Sequence, residues 1–296
     1  MNYRHAFHAG GFADVHKHVV LVRIIEHLRL KAAPFRVIDS HAGAGRYDLR
    51  GPEATRSGEW RGGIERVLAA WRQHQLGGAA LGLIKPYLDL IAALNPDGEL
   101  RHYPGSPLIA QSLLRQRDRL IACELEPSAA NSLKSALRGD ARATVLAIDG
   151  WMAVNANVPP KERRGLVLID PPYEEADDFK RLSAALAEAH GKWPTGLYMA
   201  WYPIKERAAP DALARRLRRL DIAKILRCEI AVAPPQPDAG LVGSGLILIN
   251  PPYHLQQDLQ VLLPALGRLF AAGAVHRLDW LAGEAAPGPR GQGAKR

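Results

Sequence analysis

The chain has 296 residues, enough for one large or two small domains around a substantial core, and its 47% hydrophobic and 23% charged content is that of an ordinary globular protein. No apolar run reaches the ~18 residues of a membrane span, and His5, His8, Asp14 and His16 break any signal-peptide core, so a cytoplasmic location is expected. A formal net charge of +9 points to a polyanionic partner, and two cysteines, Cys123 and Cys228 in strand-like runs, read as buried thiols and exclude a disulfide framework or a zinc site.

In chain order, Asp14 to Lys31 carries Val15, Val19, Val22, Ile25 and Leu28 at helical spacing and predicts a helix. Phe35–Asp39 is the first strand, and His41-Ala-Gly-Ala-Gly45 is a tight loop after it. The segment 51–101 departs from this pattern. It holds two helical stretches, Ile64–His74 and Leu81–Leu94, parted by Gly77-Gly78 and closed by the turn signal Asn95-Pro-Asp-Gly98, and reads as a helical insertion. Alternation then resumes: helix Ser106–Gln116, strand Arg119–Glu124, helix Pro127–Arg138, strand Arg142–Ile148, strand Leu166–Asp170. Helix Asp178–Lys192, strand Leu197–Tyr202 and helix Asp211–Leu220 follow, and Lys224–Val232 with Leu246–Asn250 fits a terminal antiparallel hairpin. Right-handed crossovers would wind these elements into one doubly wound, mostly parallel sheet of seven strands. The expected division is 1–50 with 102–283 as the main domain, 51–101 as the insertion, and 284–296 as a disordered tail rich in Gly, Pro, Ala, Arg and Lys.

Asp170-Pro171-Pro172-Tyr173 carries the most chemistry. Two prolines cannot continue a ladder, so the carboxylate stays at the C-terminal lip of its strand, where open α/β sheets bind ligands. An exocyclic amine is a poor nucleophile because its lone pair is delocalised into the ring. A carboxylate and a backbone carbonyl accepting its two N–H bonds would turn the lone pair toward an incoming methyl group, and the carboxylate can take the proton. Asp170, Pro171 and Tyr173 are therefore the catalytic and substrate-binding candidates, the aromatic ring offering a face to a planar base.

Upstream, Gly43 and Gly45 let the backbone approach a cofactor, although Asp48 breaks the GxGxxG fingerprint. Glu124 at a strand end can accept both ribose hydroxyls, with Glu126 as a competitor; Asp149 and Gly150 can hold an adenine edge; Ser106 opens a helix as its N-cap. The histidines at 5, 8, 16 and 18 lack the acidic or cysteine partners of a metal site, and no metal is expected. Asn250-Pro-Pro-Tyr253 is a near-copy of the catalytic tetrapeptide. Ending the last, antiparallel strand, it would face the opposite edge of the sheet and serve as a turn.

Tyr3-Arg-His-Ala-Phe-His-Ala-Gly10, Asp14-Val-His-Lys-His18, His41-Ala-Gly-Ala-Gly-Arg-Tyr47 and Tyr103-Pro-Gly-Ser-Pro107, together with Asp170-Pro-Pro-Tyr173, resemble the RlmJ family of S-adenosylmethionine-dependent 23S rRNA adenine-N6 methyltransferases. The resemblance runs from Tyr3 to about Trp280. It implies a class I Rossmann-like methyltransferase with a helical insertion. It further implies cofactor contacts at Lys17, His18, His41 and Ser106, and Tyr3 reaching the adenine or gating the cofactor pocket. The expected partner is 23S rRNA, as a protein-free hairpin, bound by a monomer. The rivals keep the chemistry on DNA adenine, cytosine N4 or a protein amide, or make the chain an inactive RNA-binding module or a nicotinamide oxidoreductase.

Overall fold

The computed structural model of the chain describes residues 4–235 and 240–283, so Tyr3 and the tail 284–296 lie outside the described residues. Its centre is an eight-stranded sheet. The strands are β1 (Arg36–Asp39), β4 (Arg119–Cys123), β5 (Ala143–Leu146), β6 (Gly165–Ile169), β7 (Leu197–Ile204), β8 (Ile225–Ala231), β9 (Gly243–Ile249) and β10 (Val275–Ala282), in the order β10-β8-β9-β7-β6-β1-β4-β5. A two-stranded ribbon of β2 (Arg46–Asp48) and β3 (His102–Pro104) stands apart. The sheet is parallel from β5 to β7; β9 enters antiparallel between β7 and β8, and β10 closes the edge antiparallel to β8.

Eight strands replace the seven expected. The additional strand, β10, is an edge strand whose Val275, His276 and Arg277 are exposed, so no apolar alternation betrays it. For the same reason Asn250 ends the penultimate strand rather than the last. Its geometry is otherwise as expected: Ile249 pairs with Tyr198 at the start of β7, and the Asn250 side-chain amide donates to the carbonyls of Pro194 (2.8 Å) and Gly196 (2.9 Å). Asn250-Pro-Pro-Tyr253 thus lies at the edge opposite Asp170.

Alternating residues of the central strands split the core into two layers. Val37, Leu166 and Leu168 pack on the side of α1 (Phe12–Arg29), α5 (Gly78–Leu94), α6 (Ser106–Leu113) and α11 (Leu255–Phe270). Ile38, Val167 and Ile169 pack with α9 (Asp178–Lys192) and α10 (Ala208–Leu217). This period of two, buried on both faces, is why Gly165–Ile169 reads as an unbroken apolar run. Segment 51–101 holds α2 (Pro52–Ser57), α3 (Glu59–Gly62), α4 (Ile64–Arg72) and α5, and its Val67, Ile84, Tyr87 and Leu88 join the core layer of α1 and α11.

Candidate active site

α1 is buried nearly all round, and four of its polar residues are buried with it: Asp14, His16, Lys17 and His18. The ammonium of Lys17 is shared between Asp170 and Oδ1 of Asp14, 3.0 Å away. Oδ2 of Asp14 accepts from the Gly10 amide (3.1 Å) and meets His5 Nε2 at 3.0 Å. Burial alone would raise the Asp14 pKa, but His5, Lys17 and His18 hold it well below the usual carboxylate range. Burial would likewise lower that of Lys17, yet the attraction of Asp14 and Asp170 keeps it above its ordinary value. Lys17 therefore stays an ammonium ion at neutral pH, paired with the carboxylate at the lip of β6.

Asp170 is 11% exposed. Behind it Tyr173 takes a left-handed backbone conformation (φ 54°), and its hydroxyl donates to the Trp201 carbonyl at 2.7 Å. The Tyr173 ring packs against Phe179 and Trp201, with centroids 4.8 and 5.7 Å away. The lip is thus fixed by an aromatic cluster, and Lys17 sits 5.9 Å above the Trp201 ring.

The loop after β1 is tied to its neighbours strand by strand. Gly43 has φ 63°, and a Cβ there would stand 2.3 Å from the Tyr47 hydroxyl, so only glycine fits. Its amide donates to Glu124 Oε2 (2.9 Å), and the Glu126 amide donates to Oε1 (2.8 Å). Glu126 itself caps α7 (Pro127–Ala136) through the Ser128 and Ala129 amides. Glu124 already holds this loop, and each of its oxygens keeps a second lone pair for a ligand.

His41 is partly buried, and desolvation lowers its pKa to about 4. Its Nδ1 lies 2.8 Å from Ser40 Oγ, whose hydroxyl donates to the Leu168 carbonyl at 3.0 Å. Nδ1 is therefore the protonated nitrogen and Nε2 an acceptor. A Cβ at Gly150 would meet that Nε2 at 2.5 Å, so α8 (Gly150–Ala156) can start against His41 only with glycine. Asp149 caps α8 by accepting from the Met152 amide at 3.0 Å. Sequence patterns alone left α8 unassigned, although Asp149 is a good N-cap signal.

Ser106 is not the N-cap of α6; Gly105 is. Instead its hydroxyl donates to Asp39 Oδ2 at 2.7 Å, because Ser106 sits in the first turn, facing the end of β1. His18 is also withdrawn from the surface: Nδ1 meets the Tyr103 hydroxyl at 2.8 Å, and Tyr103 in turn meets Tyr87 at 3.0 Å. Among the described residues no cluster of three or more His, Cys, Asp and Glu could hold a metal ion, and no helix is long and apolar enough to cross a membrane.

The groups missed from sequence are Asp14, His5 and Asp39, and beside Glu124 and Gly150 the exposed Leu125 (49%) and Met152 (69%). Asp39 is fully buried and its Oδ1 has no hydrogen-bond partner. Burial raises its pKa to about 7, against the lowering by the Ser106 hydroxyl. A carboxyl whose native pKa lies above its ordinary value of 3.8 weakens the fold when ionised, so stability falls as pH rises from about 4 to about 7. Asp39→Asn, without ligand, should therefore raise the melting temperature at pH 8 by several degrees and by much less at pH 5. Equal shifts at both pH values in a thermal-melt series would count against an ionised Asp39.

The antiparallel β9 wedged between β7 and β8, together with a carboxylate lip on β6 beside a glycine loop on β1, marks the class: S-adenosylmethionine-dependent methyltransferases of Rossmann-like fold. The family described as "Ribosomal RNA large subunit methyltransferase D, RlmJ" matches residues 32–282. The chain belongs to the RlmJ family. It is 42% identical over 286 residues to the Escherichia coli protein named Ribosomal RNA large subunit methyltransferase J, covering 96% of this chain and 100% of that one. A Haemophilus influenzae protein of the same name is 43% identical over 267 residues, covering 90% and 92%. A crystal structure of a Legionella pneumophila protein superimposes with a TM-score of 0.84 at 34% identity, over 92% of this chain and 98% of that one.

Proposed function

We propose that this chain methylates N6 of an adenine in 23S ribosomal RNA, with S-adenosylmethionine as the donor, acting as a monomer in the cytoplasm on a protein-free hairpin. The observation that carries the reading is the ionised pair of Lys17 and Asp170 at the lip of β6, one strand from the Gly43 loop.

The residues present fit the cofactor. The unpartnered Oδ1 of Asp39 and the acceptor Nε2 of His41 suit its amino-acid end. Glu124 suits the ribose, and Asp149, Gly150, Leu125 and Met152 the adenine. Lys17, His18, Gly43 and Ser106 hold the walls. When bound, the cofactor supplies an electrophilic methyl group on a sulfonium. Asp170 accepts one N–H of the target amine, the Pro171 carbonyl accepts the other, and Tyr173 offers an aromatic wall to the base. The amine proton ends on the Asp170 carboxylate. Lys17 orients that carboxylate, and Asp14 fixes Lys17. The adenine must leave its stack to reach the lip.

Labelled methyl transfer to naked 23S rRNA, to a hairpin transcript, to assembled subunits and to DNA tests this reading. Label should enter naked rRNA and the hairpin. Transfer to DNA with none to rRNA would overturn the substrate, and transfer only to assembled subunits would overturn the protein-free hairpin.

A further inference from the structure

The helical insertion carries a groove of about 740 Å³ whose lining includes Arg50, Trp60, Arg61, Arg66 and Arg72. All four arginines are exposed. The Arg61 guanidinium lies 4.8 Å from the Trp60 ring centroid, and the Trp60 indole N–H is buried without a hydrogen-bond partner. Arg72 uses one donor on the Gly98 carbonyl (2.7 Å), and Arg66 reaches the carbonyls of Leu269 and Phe270 at the end of α11. Arg50 pairs with Glu99, but side chains 57% and 67% exposed make that pair weak enough for a phosphate to displace. A guanidinium has five N–H donors, and its fork matches phosphate oxygens.

The groove stands at the same edge of the sheet as Asp170. Its Arg50 follows β2, which leaves the loop after β1, and Arg66 touches the end of α11, just before β10 starts opposite Ala231 at the end of β8. A packed path joins it to the site: a Cβ at Gly10 would stand 3.3 Å from Trp60, and the Gly10 amide donates to Asp14. The other basic clusters lie at the opposite edge. Arg164 immediately precedes β6 and binds the carbonyls of Leu28 and Ala33. Arg215 and Arg216 lie in the last turn of α10 and Arg218 and Arg219 follow it, where the chain returns toward the start of β8. Five strand residues, roughly 16 Å, part those clusters from the lip.

We propose that the arginine groove of the insertion binds the phosphodiester backbone of the RNA flanking the target adenine, and this rests on the substrate reading above. Arg50, Arg61 and Arg72 take phosphates, Arg66 anchors the groove to α11, and Glu65 and Glu99 limit its affinity. The test is binding and methylation of a naked 23S rRNA hairpin transcript across a salt series. Arg50→Gln, Arg61→Gln and Arg72→Gln combined should weaken binding about tenfold or more and flatten the log–log salt slope by roughly two to three units. Turnover at saturating RNA and thermal stabilisation by S-adenosylhomocysteine should stay within about twofold of the parent, which controls for folding. Glu65→Gln with Glu99→Gln should tighten binding about two- to fivefold, a gain that misfolding cannot mimic. An unchanged slope in the triple variant, or loss of the slope in a variant neutral at Arg215, Arg216, Arg218 and Arg219, overturns the groove while leaving the substrate reading intact. A parent protein that neither binds nor methylates the hairpin sinks both.

Discussion

Asp170→Ala is expected to lower methyl transfer by about a thousandfold while changing S-adenosylmethionine affinity only a few-fold. The carboxylate aligns the amine and removes its proton, two contributions made mostly in the transition state, and loss of one such group costs about 10²–10⁴ in rate. Asp170→Asn separates them, since an amide keeps the acceptor oxygen but not the base, and should leave the protein nearly as slow. Calorimetric titration beside single-turnover rates checks this. Equal losses in cofactor affinity and rate would move Asp170 from the amine to the cofactor.

Lys17→Met carries the second large effect, on stability as well as activity. The ammonium is 4% exposed and lies between two carboxylates that are 3% and 11% exposed. Removing one partner of a buried ion pair leaves the other uncompensated, at about 3–5 kcal/mol, or a fall in melting temperature of roughly 6–10 °C in a chain of this size. Turnover should fall about a hundredfold or more, because Asp170 loses the ammonium that holds its carboxylate in place at the lip of β6. Adding Asp170→Asn to Lys17→Met should recover part of the lost stability and none of the activity, since it removes a stranded charge. Strictly additive melting shifts in the double variant would show that the two side chains do not act as a pair.

Sequence patterns expose what is local. The apolar run Gly165–Ile169 and the glycine loop at 43–45 are readable because a doubly buried strand and a left-handed turn each leave a mark within a few residues. The contact between Lys17 and Asp170 spans 153 positions and leaves no such mark, so Asp14 reads as a helix-start acid rather than the group that fixes Lys17. Ser106 is legible as a helix opener, but its bond to Asp39 depends on how α6 docks against β1. The helix Leu255–Phe270 is missing from the sequence reading: the turn signal of Asn250-Pro-Pro-Tyr253 and Pro264 inside the helix mask it, although the spacing of Leu255, Leu259, Leu262, Leu263 and Leu266 was visible. The edge strand β10 was not, because an exposed edge does not require apolar alternation.

The 153-residue span between Lys17 and Asp170 also has a temporal meaning. A ribosome adds about 5–20 residues each second, so the lysine leaves the peptidyl-transferase centre roughly 8–30 s before its carboxylate exists. During that wait β1 also lacks β6, whose Gly165 pairs with Arg36, and α1 has no finished surface on which to sequester its charges. β1 can meet β4 before then, but its other edge stays open until β6 has been synthesised. A chain cut short before residue 170 leaves Lys17 with Asp14 as its only carboxylate partner from this pair.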